Sequence, residues 1–165
     1  LGKGTFFDIG IADERDTHLS DFAMTASDGD GGRMPLHGQI RLHDHDHIGG
    51  IATSGWRGRS LSLGIADSVT VLAQNAAAAD VAASLIANAI TISSPAITRQ
   101  PAASLVPNSD LKDRLVTVDV GPLSVNEIDH ALAAGACLAR HMFGDGQIMT
   151  AYARLAGRSF IIASE

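Results

Sequence analysis

The residue types best suited to chemistry in this chain lie in the segment TSGWRGRS, residues 53–60. Its glycines let backbone amides approach a ligand closely, and its two arginines carry planar, forked donors that match phosphate groups. Trp56 offers a ring on which a flat ligand could stack. No complete phosphate-binding loop motif is present, so the composition also fits a hairpin turn with two solvated arginines. The candidate ligand-binding residues here are Thr53, Ser54, Gly55, Arg57, Arg59 and Ser60.

A second candidate is Asp80, the single carboxylate in an alanine-rich segment that runs from Asn75 to Thr91. A carboxylate in apolar surroundings costs free energy unless its charge is used. It could interact with the helix macrodipole, pair with an arginine, or bind a divalent cation. In the last case Ser84, one helical turn later, would lie on the same face and add a hydroxyl ligand. Composition leaves these three interpretations open.

The histidine-rich segment at residues 43–47, HDHDH, is a third candidate. In an extended strand His43, His45 and His47 would share one face, as metal ligands need to. The segment lies between two predicted strands, however, and no further ligand follows at a recognisable spacing. We therefore expect a solvated polar turn that has no part in function.

Hydrophobic patterning predicts an α+β fold with antiparallel sheets. Strands are expected over residues 5–12, 37–43, 48–54, 67–74 and 114–120, with two more within 147–164. Asn75 can cap a helix of about fifteen residues, which should be buried centrally because apolar residues surround it. Ser124 and Glu127 are spaced as a capping box that begins a second, C-terminal helix. Residues 13–36 are predicted to be a mobile loop, and residues 93–113 an irregular crossing with at most one helical turn.

Length and charge limit the function classes. The 165 residues suit one domain, and the net charge of −6 with no basic run argues against nucleic acid or anionic membrane as a partner. No apolar segment is long enough to span a bilayer. The single cysteine, Cys137, is expected to be buried and favours a reducing cytoplasm. The chain begins without Met inside a strand pattern, so we expect that an upstream portion is missing. A homo-oligomer remains open.

Residues 50–90, from GIATSGWRGRS to AASLIANAI, resemble a little-characterised group related to the ApbE flavin transferases. The resemblance continues through LVTVDVGPLS at 115–124 and FFDIGIADERD at 6–16. It implies an ApbE-like fold that binds FAD and Mg²⁺, with FMN transfer or pyrophosphate cleavage as the activity and Asp80 and Ser84 as metal ligands. SLSLGIADS stands where that family carries H-x-I-D-P-x-T-G, which makes its carboxylate, Asp67, a further ligand-binding candidate. The alternatives are a non-catalytic binding module for an anionic or nucleotide ligand and a small-metabolite hydrolase; no catalytic residue is assigned.

Overall fold

A computed structural model of the chain describes residues 7–12, 26–27, 33–34, 36–42 and 47–163. The chain divides into two compact units, Leu1–His47 and Ile48–Glu165. The sequence predicts a single domain over residues 1–165. The division into two compact units does not test this, so it stays a prediction.

The first unit contains two antiparallel strand pairs. Strand β1 (Phe7–Ala12) pairs with β4 (Leu36–Leu42), with a register shift near the end of β1. Strands β2 (Ala26–Ser27) and β3 (Arg33–Met34) form a short ribbon inside the stretch predicted to be a mobile loop. Leu36, the last residue of that loop, begins β4, and the remaining residues of the loop lie outside the described ranges.

The second unit is built on a four-stranded antiparallel sheet with the strand order β10-β9-β6-β5. Its strands are β5 (Gly50–Ser54), β6 (Ser68–Ala73), β9 (Thr150–Leu155) and β10 (Arg158–Ile162). Residues that pair across antiparallel strands share a face, so Val69 and Val71 of β6 face the same side as Ala153 and Ala151 of β9. All four are fully buried in the main core, which lies between this face and two helices.

The two long helices begin where the sequence predicts. Helix α1 (Ala76–Ala89) is capped by Asn75, whose side chain accepts a hydrogen bond from the Ala78 N–H at 2.9 Å. Helix α3 (Val125–Gly144) begins with a complete capping box between Ser124 and Glu127. Cys137 is exposed, so its predicted burial is wrong: it lies on the outer side of α3, opposite the buried residues Ile128, Leu132, Ala136 and Ala139.

Helix α1 is buried on one face only, so the prediction that it is buried centrally is wrong. Its buried residues are Ala79, Ala82, Ala83, Ile86 and Ala87, whereas Val81 and Leu85 are 58% and 47% exposed. Alanine occupies both faces, so the sequence has little periodicity to show which side packs on the sheet. Asp80 belongs to the exposed side, and water therefore solvates its charge.

The stretch 93–113 is more ordered than predicted. It contains strand β7 (Ile97–Pro101), which pairs antiparallel with β8 (Leu115–Val120), and the single-turn helix α2 (Ala102–Leu105). The predicted absence of a strand here is wrong. Pro101 is tolerated because it is the last residue of β7, an edge strand of a two-stranded sheet. The missing N–H of proline therefore does not interrupt the pairing of β7 with β8.

The α+β class with antiparallel sheets is confirmed. Helices α1 and α3 pack closely, because Gly135 of α3 lies directly against Ile90, the residue that follows α1. Within the described residues no helix has the length and apolarity needed to cross a membrane.

Candidate ligand-binding site

One end of the second unit gathers most of the residues singled out from the sequence. Helix α1 follows β6 and runs back along it, so its last turn returns to the loop that precedes β6. The Ile65 N–H donates to the Ile90 carbonyl at 2.8 Å, which fixes that loop to the end of α1. The first turns of α3 reach the same end, because Asp129 forms an ion pair with Arg158 at the start of β10.

The β5–β6 loop, residues 55–67, is closed at its base by backbone hydrogen bonds. The Trp56 N–H donates to the Ala66 carbonyl at 3.0 Å, and the Gly58 N–H donates to the Gly55 carbonyl at 3.1 Å. A Cβ at Gly55 would lie 2.4 Å from the Asp67 carbonyl oxygen, so only glycine fits there. The loop is therefore held at its base, and both of its arginines are exposed.

Arg57 is fixed in place by two neighbours. Its Nε donates to Asp67 Oδ1 at 2.7 Å, and its guanidinium lies 4.8 Å from the centre of the Trp56 ring. Its two terminal nitrogens contact no acceptor among the described residues. Arg59 is exposed and has no ion-pair or hydrogen-bond partner within that same part of the chain. The loop thus offers one oriented and one unengaged guanidinium.

Asp67, predicted to contact a ligand, uses both carboxylate oxygens within the protein. Oδ1 accepts from Arg57, and Oδ2 accepts from the Ala156 N–H at 2.6 Å. Ala156 and Gly157 have φ values of 47° and 81° and form the two-residue turn between β9 and β10. Asp67 therefore joins the arginine loop to this turn, a role that its position in the sequence does not reveal.

The predicted hydroxyl ligands do not converge. Thr53 pairs with Thr70 across β5 and β6, and their Oγ1 atoms are 2.8 Å apart. Ser54, the next residue, points to the opposite side of the sheet, because side chains alternate along a strand. Ser60 is exposed on the loop beside Arg59. A ligand at the loop tip therefore meets Ser60 more readily than the two strand hydroxyls.

Trp56 is partly buried and packs against the core. The guanidinium of Arg57 lies over its ring, so a ligand ring could stack on that face only after Arg57 moved. The indole Nε1 is buried and has no hydrogen-bond partner among the residues that the structure describes. A buried donor without an acceptor is destabilising.

Arg154 was not singled out from the sequence. It is 5% exposed and lies on β9, where it pairs with Ser68 of β6 and Ser159 of β10. These residues occupy the sheet face opposite the helices, because Ala153 and Leu155 on either side of Arg154 point into the core. Alternation in TAYARL is consistent with this facing, but it gives no sign that the arginine is buried.

A shallow cleft of about 350 Å³ lies beside the first turns of α3, lined by Ile92, Ser93, Asn126, Glu127 and His130. The pKa of Glu127 is lowered first by the hydrogen bond from the Ser124 backbone N–H, then by hydrogen bonds from the Ser94 and Ser124 hydroxyls. The carboxylate accepts from the Ser124 N–H at 2.8 Å and from the Ser124 Oγ at 2.7 Å. Glu127 is thus engaged in capping α3 and stays ionised near neutral pH.

The proposed metal ligands lie apart from the arginine loop. Asp80 is exposed and Ser84 is half-buried on the outer side of α1. Asp80 is nine residues before the end of α1, roughly 14 Å along the axis from the end that borders the loop. Over the described ranges, no three His, Cys, Asp or Glu side chains come together to hold a metal ion. One carboxylate and one hydroxyl would leave most of the six oxygen ligands of a magnesium ion to water or phosphate.

The histidine segment is described only at its end. His47 is exposed with a φ of 53°, and residues 43–46 lie outside the described residues. The predicted solvated turn stays a prediction.

A comparison with models of known protein families shows to which family the chain belongs. A family model described as AbpE bacteria matches residues 7–161. The chain belongs to the AbpE bacteria family. AbpE is distinct from ApbE despite the similar name, so the resemblance to the flavin transferases is wrong. No curated protein and no solved structure is significantly similar to this AbpE chain.

Proposed function

We propose that this protein binds a small anionic ligand, a phosphate-bearing or nucleotide-like molecule, at the end of the second unit that carries the β5–β6 loop. The observation that supports the proposal is the pair Arg57 and Arg59 in one short loop. Arg57 is oriented by Asp67 while its two terminal nitrogens meet no described acceptor, and Arg59 is exposed. Forked guanidinium groups match the oxygen geometry of phosphate.

Two features of the surroundings support binding at this end. The chain has a net charge of −6, so two neighbouring arginines in one loop stand out from an acidic protein and attract anions locally. The α3 cleft of about 350 Å³ belongs to the same end of the unit and is large enough for part of a small ligand. The proposal is one of binding; FMN transfer, pyrophosphate cleavage and metabolite hydrolysis stay predictions without an assigned nucleophile or base.

Trp56 provides the test, because it is the only tryptophan and its ring touches Arg57. Its fluorescence is followed while pyrophosphate, ADP or AMP is added, with calorimetry as a second readout. Arg59→Gln should weaken binding about tenfold or more, the size of a lost charge-assisted hydrogen bond. Arg140→Gln is the matched control, since Arg140 is an exposed arginine on α3 and its loss changes the charge equally. Equal affinities in all three proteins would remove the proposed site.

Magnesium and FAD are tested by the same titration. If a cation held by Asp80 and Ser84 takes part, Asp80→Asn should weaken FAD binding in the presence of Mg²⁺ and leave it unchanged in its absence. If Asp80→Asn has no effect in either condition, any Mg²⁺ that contributes arrives with the phosphates, which is its common mode of binding. We place the protein in the cytoplasm on the basis of its single cysteine, which has no partner within the chain.

A further inference from the structure

We propose that Asp67 sets the ligand specificity of this site: it pairs with Arg57 as a substitute anion, so that a phosphate-bearing ligand that also engages Arg59 binds tightly and a monocarboxylate does not. The inference rests on the proposed function, because it assigns a ligand class to the same loop.

The contacts of Asp67 show which partner can leave. Its Oδ2 accepts from the Ala156 N–H at 2.6 Å, its own N–H donates to the Arg154 carbonyl at 2.9 Å, and its side chain is 11% exposed. These bonds hold Asp67 whether or not Arg57 is present. Arg57 is 30% exposed and bonds Asp67 through Nε alone, so it is the partner that can move.

An anion bound to the two terminal nitrogens of Arg57 would lie beside the Asp67 carboxylate and be repelled by it, so tight binding requires Arg57 to turn away from Asp67. A monocarboxylate offers Arg57 the charge and oxygen geometry that Asp67 already supplies, so the exchange gains nothing. A phosphomonoester or diphosphate carries about two negative charges and three acceptor oxygens on its terminal group, and it can engage Arg59 at the same time. Asp67 remains behind as a nearby negative charge, which lowers the affinity for every anion, so only a ligand that gains contacts with both arginines binds tightly.

Asp67→Asn tests this directly, because the asparagine oxygen can still accept from the Ala156 N–H while its NH₂ group gives Arg57 no anion. Pyrophosphate and acetate are titrated against both proteins by calorimetry. The variant should bind pyrophosphate about fivefold or more tightly, and it should bind acetate more tightly as well, because binding no longer breaks the Arg57 ion pair. Weaker or unchanged pyrophosphate binding would overturn the inference, since Asp67 would then position Arg57 for the ligand or have no influence on it.

Asp129→Asn is the matched control. Asp129 pairs with Arg158 at 2.8 Å at the same end of the unit, and its substitution removes the same charge. It should leave both affinities within about twofold of wild type, because exposed ion pairs contribute little. An equal tightening in Asp129→Asn would overturn the inference by showing a general charge effect.

Two further measurements keep the test valid if Asp67→Asn folds poorly. Asp67→Ser retains a short acceptor and should shift the affinities in the same direction. In the wild-type protein, saturation with pyrophosphate should change Trp56 emission, because Arg57 leaves the ring; calorimetric binding with unchanged emission would overturn the inference. If neither wild type nor Asp67→Asn binds pyrophosphate, the proposed function fails as well. If Arg59→Gln weakens wild-type binding but Asp67→Asn does not tighten it, this inference alone fails.

Discussion

Replacing Gly135 by alanine tests the helix packing that supports the site. A Cβ at this position would lie 2.2 Å from Ile90 Cγ1 and 2.9 Å from its Cδ1, well inside van der Waals contact. Ile90 is fully buried, so its side chain has little room to move. Overpacking costs about 1–3 kcal/mol, and the helix propensity of alanine over glycine returns about 1 kcal/mol. Because the Cβ would meet two consecutive atoms of a buried side chain, we expect an overpacking cost in the upper part of that range and a net loss of about 1–2 kcal/mol.

Urea unfolding followed by circular dichroism measures this change. Gly144→Ala is the control, since Gly144 ends the same helix and a Cβ there meets nothing within 4 Å. That substitution should be neutral or stabilise by up to about 1 kcal/mol. In an Ile90→Ala background the clash is gone, so Gly135→Ala should no longer destabilise. If Gly135→Ala and Gly144→Ala have equal effects in the wild-type background, the packing argument is refuted.

Three further predictions concern caps and buried polar groups. Ser124→Ala should lower the free energy of unfolding by about 1 kcal/mol in thermal or urea unfolding, because it removes an N-cap, and an unchanged value would contradict the capping role. The lowered pKa of Glu127 means that its stabilisation is present above its ordinary value of 4.5 and is lost as the pH falls through the lower folded value; Glu127→Gln should remove this part of the acid dependence in unfolding measured from neutral pH downwards. Trp56→Phe removes a buried N–H that has no acceptor within the described part of the chain, a group that costs about 1–3 kcal/mol, and it keeps most of the ring. We therefore expect a loss of less than about 1 kcal/mol in urea unfolding, and a loss above about 3 kcal/mol would show that the N–H has a partner.

The features that the sequence predicts well are those determined by neighbouring residues. Asn75 and Ser124 mark the helix starts because a capping side chain bonds to an N–H within its own first turn. The strand at Ser68–Ala73 is predicted because β-branched residues cluster there between polar ends. Each of these signals depends on a few consecutive residues.

The features that were missed depend on distant contacts. The Asp67–Ala156 hydrogen bond joins residues 89 apart, and no local pattern marks either partner. The burial of Arg154 likewise depends on what surrounds β9, whereas alternation indicates only which way its side chain points. The one-sided burial of α1 could not be predicted because alanine fits both a buried and an exposed helix face. The contacts that orient Arg57 are thus a property of the folded chain.

The pairing of β6 with β9 also affects how the protein is made. Ser68–Ala73 lies in the interior of the sheet, yet one of its two neighbours is Thr150–Leu155, about eighty residues later. During synthesis β5, β6 and α1 leave the ribosome long before β9. One edge of the apolar strand β6 therefore stays unpaired until β9 has emerged from the exit tunnel. Such an edge can pair with other chains, and pairing of distant segments is slow. We therefore expect nascent chains arrested before residue 150 to associate with chaperones or aggregate, and those arrested with β9 and β10 outside the exit tunnel to resist proteolysis.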